Sequence, residues 1–212
     1  LIDTAGIRSK HQDVIDKYSQ IRTETSITNA DVSILICDAR VGMNKKELSI
    51  ARKIHDNNKP FVLFFNKWDL VNNVRKEHCI QDVKKQFKHL GGIPMIIGSA
   101  KTNRNVTDAI QAAEDLFAVQ NKTIQTSELN KFLSDTIQKH HPPQIKGKRL
   151  RIYYMIQKST NPHIFLLFIN HKHLTDRNWM RYFTNQLRDV FNLNGVPITV
   201  LCRKKTKKED TE

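Results

Sequence analysis

The feature that most constrains the fold is an apolar run, residues 60–65, that leads directly into the polar residues Asn66, Lys67 and Asp69. A short, continuous apolar run is typical of a strand that is buried on both faces of a parallel sheet. In open α/β sheets, ligands bind just beyond the carboxyl ends of such strands. The sequence therefore predicts a parallel sheet flanked by helices, with a binding site at residues 66–69.

The tetrad Asn66-Lys67-Trp68-Asp69 resembles the guanine-reading motif of P-loop GTPases. The Asp69 carboxylate can accept two parallel hydrogen bonds from guanine, whereas adenine presents the wrong pattern and would leave a desolvated carboxylate unpaired. Lys67 can lay its methylene stem along the base, and Asn66 is expected to bind neighbouring backbone. The alternative is a strand that simply ends in a polar turn.

The motif at the start of the chain, Asp3-Thr4-Ala5-Gly6, resembles the GTPase segment that lies beside the γ-phosphate. Asp3 would hold Mg²⁺ through a water, and the backbone N–H of Gly6 would meet the γ-phosphate. A plain strand-to-turn junction is the alternative. Many GTPases place a water-orienting glutamine next, but residue 7 is an isoleucine, so the group that polarises water would come from elsewhere.

A third motif, Ser99-Ala100-Lys101, follows a predicted strand at residues 94–98. It resembles the last guanine-binding motif of GTPases, in which the backbone N–H of Ala100 would donate to the guanine carbonyl oxygen. We assign Ser99, Ala100 and Lys101 to the predicted nucleotide site, together with Leu70 at the end of the tetrad.

Strands and helices alternate along residues 1–119, with a further strand predicted at 31–38 and helices predicted at 45–57, 77–90 and 106–119. Such alternation is typical of a doubly wound parallel sheet. No Gly-x-x-x-x-Gly-Lys-Ser/Thr occurs in the chain, and that loop supplies the phosphate cradle of P-loop proteins. We therefore expect an incomplete P-loop GTPase fold, part of a longer domain, that recognises guanine but does not hydrolyse GTP by itself.

The sequence changes character after a polar linker predicted at residues 120–126. The elements predicted beyond it are a helix capped by Ser127, strands at 150–157 and 164–170, a helix at 176–191 and a strand at 198–202. The order helix–strand–strand–helix–strand resembles an α+β KH-like domain, which we assign to residues 127–203. Residues 204–212 form a basic tail that we expect to be disordered.

The positive charge lies mainly in the second region. Residues 1–118 hold 18 Lys and Arg against 14 Asp and Glu, whereas residues 119–212 hold 17 against 7, a net charge of +10. Such a charge favours a polyanionic partner such as RNA, although a merely solvated basic face is the alternative. RNA-binding KH domains clamp nucleotides with Gly-x-x-Gly, which residues 119–212 lack. Direct reading of single-stranded RNA is therefore not expected, and electrostatic docking on structured RNA is the mode of binding that stays open.

The sequence contains no pattern typical of a membrane span, a disulfide or a metal site. No apolar run approaches the roughly 20 residues that span a bilayer, so no membrane association is expected. Cys37, Cys79 and Cys202 show no paired or metal-ligand spacing, which favours a reducing cytoplasm. The adjacent His140 and His141 at a helix end would point apart and are not expected to bind a metal.

The whole pattern resembles the C-terminal half of the Der (EngA) family, bacterial proteins with two tandem GTPase domains followed by a KH-like domain. Beyond the three GTPase motifs, the resembling stretches include residues 126–130, 141–143, 185–188 and, most specific of all, Lys-Gly-Lys-Arg-Leu-Arg-Ile-Tyr-Tyr at 146–154. Members of this family also lack the water-orienting glutamine, which agrees with Ile7.

This resemblance implies a cytoplasmic GTPase that uses GTP and GDP with Mg²⁺, and K⁺ as an extra positive charge in the manner of many such GTPases. It further implies association with ribosomal RNA of the large ribosomal subunit during assembly of that subunit. We expect a monomer. The alternative is a binding module that docks on ribosomal RNA without nucleotide turnover, which rests on the missing phosphate loop and the net charge of residues 119–212.

Overall fold

The computed structural model describes residues 24–71 and 92–205 of the chain. The chain divides into two compact units, Leu1–Phe117 and Ala118–Glu212. The limits expected from the sequence for the two domains and for the linker between them stay predictions. No helix within the described ranges is both long enough and apolar enough to cross a membrane.

The first unit contains a parallel three-stranded sheet in the order β1-β2-β3. Its elements are β1 (Ser33–Asp38), α1 (Lys45–Asp56), β2 (Phe61–Asn66), a 3₁₀ turn (Trp68–Leu70), β3 (Met95–Ile97) and most of α2 (Val106–Gln120). Residues 24–29 are helical as well. The parallel sheet expected from the alternating pattern is confirmed, whereas the helix predicted at 77–90 lies outside the described residues.

Strand β2 is the centre of this sheet. All five residues from Phe61 to Phe65 are buried, and Phe61, Leu63 and Phe65 join the core cluster that also includes Trp68. A strand between two parallel neighbours has both faces covered, which explains why its sequence is continuously apolar rather than alternating. The buried strand predicted from residues 60–65 is confirmed, one residue further along.

The second unit has the predicted order helix–strand–strand–helix–strand. The elements are α3 (Thr126–Lys139), β4 (Ile152–Ser159), β5 (His163–Ile169), a 3₁₀ turn (Lys172–Leu174), α4 (Arg177–Val190) and β6 (Ile198–Lys204). Strand β5 is central, antiparallel to β4 and parallel to β6. Its alternate residues His163, Phe165, Leu167 and Ile169 are fully buried, which is the period expected when one face of a sheet packs on helices.

Two details of the second unit differ from the sequence predictions. Helix α3 begins at Thr126, after Gln125, so Ser127 is not its N-cap. The helix start is set by tertiary contacts, because Ile124 is buried and its backbone N–H donates to Gln157 Oε1 at 2.7 Å. Strand β6 also runs to Lys204, the first residue of the tail expected to be disordered, because β5 pairs with it throughout its length. Residues 206–212 lie outside the described ranges.

Candidate functional site

The predicted site lies where the parallel strands of the first unit end. Asp38 at the end of β1 is the register partner of Asn66 at the end of β2. The loop after β2 is joined to β3, because the Trp68 N–H donates to Gly98 O at 3.1 Å and the Gly98 N–H donates to Phe65 O at 3.0 Å. The residues that follow the three strands are therefore held side by side, as the topology of a parallel sheet requires.

Asn66 connects two of the predicted motifs. Its side-chain Oδ1 accepts from the backbone N–H of Lys67 at 2.8 Å and from that of Ala100 at 2.9 Å. Asn66 therefore binds neighbouring backbone, in the manner expected from the sequence. The Ala100 N–H, which we expected to donate to a guanine carbonyl, has a protein partner here, so a bound base would have to share or replace the Asn66 bond.

The segment after β3 is a tight turn that begins with two buried residues, Gly98 and Ser99. Ser99 is fully buried, and its backbone exchanges two 3.0 Å hydrogen bonds with Arg104. Its Oγ accepts from the Thr102 N–H at 3.3 Å. A Cβ on Gly98 would lie 2.4 Å from Arg104 O and 2.7 Å from the Phe64 ring, so glycine is required for the close approach of these segments. Ala100 and Lys101 are thus carried by a rigid turn.

A pocket of about 340 Å³ opens among these loops. It is lined by Arg40, Asn66, Lys67, Asp69, Leu70, Ser99 and Lys101. Its volume falls within the range of about 300–1,000 Å³ that is usual for small-molecule sites. The structure therefore brings six residues of the predicted nucleotide site together around one cavity, and adds Arg40.

Asp69 is the most available acceptor in this pocket. It is exposed, while its neighbour Trp68 is buried in the core and fixes the short 3₁₀ turn that carries it. No residue within 24–71 or 92–205 donates a hydrogen bond or forms an ion pair with the Asp69 carboxylate. An exposed carboxylate with both oxygens open can accept two parallel donors from a ligand.

Lys67 turns away from Asp69. Its backbone is in the left-handed region, with φ of +64°, and its ammonium lies 2.8 Å from Asp38 Oδ2. A left-handed conformation is costly for a residue with a Cβ, and such strain is characteristic of functional sites. The strained backbone aims the ammonium at the neighbouring strand.

Sequence reasoning missed Asp38 and Arg40. Asp38 accepts from Arg40 Nε at 3.0 Å and from Arg40 Nη2 at 2.6 Å, in addition to its bond with Lys67. The hydrogen bonds from Arg40 and then Lys67 hold the pKa of the Asp38 carboxyl well below its usual range. The sequence did contain a signal for Asp38, because it ends an apolar run in the same way that Asn66 ends the next one. Since neighbouring parallel strands end at the same edge of the sheet, the two residues could have been expected to lie close together.

The remaining predicted site residues, Asp3, Thr4, Ala5 and Gly6, lie outside the described residues. Within the described part of the chain, no group of three or more His, Cys, Asp or Glu side chains is arranged to hold a metal ion. The phosphate and Mg²⁺ roles of the first motif therefore stay predictions.

A second candidate surface lies on the other unit, at the edge where β4 begins and β5 and β6 end. We call it the basic edge and define it by seven exposed cationic residues: Lys146, Lys148, Arg149, Arg151, Lys172, Arg203 and Lys204. Segments 144–154, 168–174 and 201–205 contain no Asp or Glu. The segments that form the edge therefore carry cations and no carboxylates.

Asn170 organises the basic edge. Its Oδ1 accepts from the Arg151 N–H at 3.0 Å and its Nδ2 donates to Arg149 O at 3.1 Å. The Lys205 ammonium lies 5.4 Å from the centre of the half-exposed Tyr153 ring. Cations held on ordered backbone beside an exposed ring suit a nucleic acid, which offers phosphates and base faces.

Comparisons with known proteins cover both units. A model described as the elongation factor Tu GTP binding domain matches residues 1–141. A second model, described as the KH-domain-like, C-terminal domain of EngA bacterial GTPase enzymes, matches residues 123–203. The two matches together cover nearly all of the chain, and their order is the one expected from the sequence.

Individual relatives agree with these family matches. GTPase Der of Protochlamydia amoebophila is 41% identical over 99% of this chain and 43% of its own length, and GTPase Der of Chlamydia caviae is 38% identical over 98% and 44%. The chain spans less than half the length of these curated relatives. Among solved structures, an Aquifex aeolicus Era variant bound to GDP·AlF₄⁻ covers 97% of this chain and 76% of its own, with 14% identity and a TM-score of 0.48. A TM-score that low gives this likeness no weight.

Proposed function

Because the chain belongs to the Der (EngA) family of GTPases, we propose that it binds guanine nucleotide at the end of β1, β2 and β3 and forms part of an enzyme that hydrolyses GTP. The observation that supports this most directly is the Asp69 carboxylate, which is exposed in a formed pocket and accepts no hydrogen bond and forms no ion pair within the described ranges. The ring N–H and exocyclic amine of guanine are matched donors for such a group.

We infer the role of each pocket residue from where its side chain or backbone lies in the cavity. Asp69 accepts from the guanine edge, while Asn66 fixes the loop that carries the Ala100 N–H next to the base. Lys67, Leu70, Ser99 and Lys101 line the rest of the cavity.

On the phosphate side, we propose that Asp3, Thr4, Ala5 and Gly6 line the site, with Asp3 holding Mg²⁺ through a water and with K⁺ as a further cation. Bound Mg²⁺ neutralises the charge that develops on the transferred phosphoryl group.

The guanine assignment is tested by exchanging one functional group. Asp69→Asn replaces a carboxylate oxygen by an amide donor, which matches the carbonyl that xanthine carries in place of guanine's amine. Ligand-detected NMR of the 212-residue chain with GDP, XDP and ADP measures the preference. We expect GDP to be favoured by the unaltered chain and XDP by Asp69→Asn.

The matched control for this experiment is Asp31→Asn, which makes the same chemical change at an exposed residue before β1, far along the strand from the pocket. Asp69→Ala should lose guanine selectivity without gaining xanthine binding. Equal binding of GDP before and after Asp69→Ala would remove the guanine assignment.

The second part of the proposal is that the basic edge docks on structured ribosomal RNA, and that the protein acts in assembly of the large ribosomal subunit. Its support is the seven exposed cations on one edge and the absence of acidic residues from the segments that form it. Each phosphate neutralised by Lys or Arg releases counterions, so the logarithm of the binding constant should fall with the logarithm of salt by about 0.7–0.9 per contact.

A charge-matched pair of triple variants tests the basic edge. Arg149→Gln/Arg151→Gln/Arg203→Gln removes three cations from it, and Lys131→Gln/Lys139→Gln/Arg181→Gln removes three exposed cations from helices of the same unit. Against a ribosomal RNA hairpin, we expect the first variant to reduce the salt slope by about two and the second to leave it nearly unchanged. Equal effects would mean that only the net charge attracts RNA.

A specific observation also supports the alternative function, a ribosomal-RNA-docking module without turnover, because the basic edge lies within one unit and needs no residue of the pocket. RNA binding by a chain that shows no preference for GDP over ADP would favour this alternative. For either function, the proposed location is the cytoplasm and the proposed state is a monomer, which sedimentation of the purified chain would test.

A further inference from the structure

Asp38 is fixed beside the guanine-reading loop by the sheet itself. It is the register partner of Asn66, and the next residue, Ala39, donates its N–H to Asn66 O at 2.8 Å. Its side chain is only 24% exposed, whereas the side chains of its two cationic partners are about half exposed. The sheet therefore holds the backbone of Asp38, and its carboxylate is less exposed than the two cations that pair with it.

Asp38 binds two of the three cationic side chains that line the pocket, the third being Lys101. Arg40 binds it through Nε and Nη2 and also donates its backbone N–H to Oδ1 at 3.0 Å. Lys67 binds the same carboxylate through Nζ at 2.8 Å. Arg40 and Lys67 both line the cavity that contains Asp69, so one carboxylate keeps two pocket cations paired.

Asp69 is the obvious competitor for these cations. It lies two residues after Lys67 and is exposed. The pKa of the Arg40 guanidinium is raised mainly by its hydrogen bonds to Asp38, with a smaller contribution from the negative charge of Asp69. A carboxylate that pairs with Arg or Lys uses the same lone pairs that would accept from a base. Pairing between Asp69 and either cation would therefore block recognition of the base.

We propose that Asp38 is a positioning residue of the guanine pocket: by keeping Arg40 and Lys67 paired with itself, it leaves the Asp69 carboxylate open to the base. This inference rests on the proposed function, because it assumes that Asp69 accepts from guanine. It adds that the selectivity of the pocket depends on a residue that does not touch the base. The effect should concern ligands that need Asp69, namely nucleotides whose base presents the guanine edge.

The test is a double-mutant cycle between Asp38 and Arg40, measured by ligand-detected NMR with GDP and ADP. Asp38→Asn keeps the shape and removes the charge, and we expect it to weaken GDP binding on the order of tenfold, as when a charge-assisted hydrogen bond is lost. In an Arg40→Gln background, where one competing cation is gone, the same substitution should weaken GDP binding by a smaller factor. Competition also predicts that the double variant binds GDP more tightly than Asp38→Asn alone, whereas loss of a merely structural ion pair predicts no such gain.

Salt supplies a second readout. Pairing of exposed charges is screened as ionic strength rises, so the deficit of Asp38→Asn relative to the unaltered chain should shrink between low and high salt. Asp38→Glu, which keeps the charge, should retain more GDP affinity than Asp38→Asn does. The control is Asp31→Asn, at the other end of β1, with GDP affinity expected within twofold of the unaltered chain.

The possible results distinguish failure of the proposed role of Asp38 from failure of the proposed guanine binding. If the unaltered chain prefers GDP to ADP and Asp38→Asn binds GDP equally well, this inference is wrong and the proposed function stands. An Asp38→Asn deficit that is the same in the Arg40→Gln background, and at high salt, would also overturn it. If the unaltered chain does not distinguish GDP from ADP, the proposed function and this inference fail together. Should Asp38→Asn unfold, the comparison of Asp38→Glu with the unaltered chain at two salt concentrations decides.

Discussion

Gly98 provides the sharpest structural test of the site, because an added methyl group has no room there. The Cβ of Gly98→Ala would lie 2.4 Å from Arg104 O, where ordinary contacts begin at 3.4 Å, so this backbone carbonyl would have to move by about 1 Å. That oxygen accepts the 3.0 Å hydrogen bond from the Ser99 N–H. The substitution therefore strains the turn that carries Ala100.

The magnitude follows from these contacts. Forcing an extra methyl into a packed site costs about 1–3 kcal/mol, and weakening the Ser99–Arg104 bond adds about 1 kcal/mol. Alanine also restricts the unfolded chain, which offsets about 0.4–1 kcal/mol. We expect Gly98→Ala to lower the free energy of unfolding of the first unit by about 1–3 kcal/mol, and to weaken GDP binding as the turn shifts.

The assay uses the fact that each unit has one tryptophan, Trp68 and Trp179. In a Trp179→Phe background, urea unfolding followed by Trp68 fluorescence reports the first unit alone. The control is Gly147→Ala, where φ is +72° but nothing lies within 4 Å of the new Cβ. It should cost about 1–2 kcal/mol in the second unit and leave GDP binding intact. An unfolding curve for Gly98→Ala within about 0.5 kcal/mol of the parent would refute the steric argument.

Three further predictions concern stability. Burial lowers the pKa of His163 below its usual value near 6.5, so the unfolded chain binds more protons than the folded chain at this residue. The second unit should therefore lose stability as pH falls below about 6.5, by at most about 1.4 kcal/mol per pH unit. His163→Gln should remove that pH dependence in urea titrations. Asn44 caps α1 by accepting from the N–H groups of Lys46 and Glu47, so Asn44→Ala should cost about 1 kcal/mol in the same titrations. Lys67→Gly should be more stable than Lys67→Ala by about 1 kcal/mol, because glycine adopts the left-handed backbone without strain. Both variants lose the ammonium that pairs with Asp38, so that loss cancels in the comparison. Equal stability of the two variants would show that the Lys67 backbone is not strained.

The fold was predictable where the pattern was long and periodic. Strand β2 and helices α1 and α2 lie within one or two residues of their expected positions, because a continuous apolar run and a helical period are local properties. The ends of elements were less predictable. Helix α3 starts at Thr126 because Gln157 and the core hold Ile124, and β6 reaches Lys204 because β5 pairs with it. Neither partner is near in sequence.

In the pocket too, residues within local motifs were predictable from the sequence, whereas residues placed by strand pairing were not. Motif spacing indicated Asn66, Asp69 and Ser99, since each follows an apolar run. The part played by Asp38 and Arg40 depends on the register of β1 against β2, which the sequence does not state. The left-handed backbone of Lys67 was equally hidden, because no glycine or asparagine marks that position.

Each loop of the pocket is held by a neighbouring strand rather than by its own sequence. Asp38 at the end of β1 pairs with Lys67 after β2, and Asn66 at the end of β2 accepts from Ala100 after β3. Gly98 after β3 leaves room for Arg104 O and for the Phe64 ring of β2. These contacts exist only when the three strands are in register, so the arrangement of acceptors and donors around the pocket forms with the sheet. Substitutions that loosen the β2–β3 pairing should therefore weaken guanine binding under conditions in which the first unit is still folded, because local opening at the strand ends costs less than global unfolding.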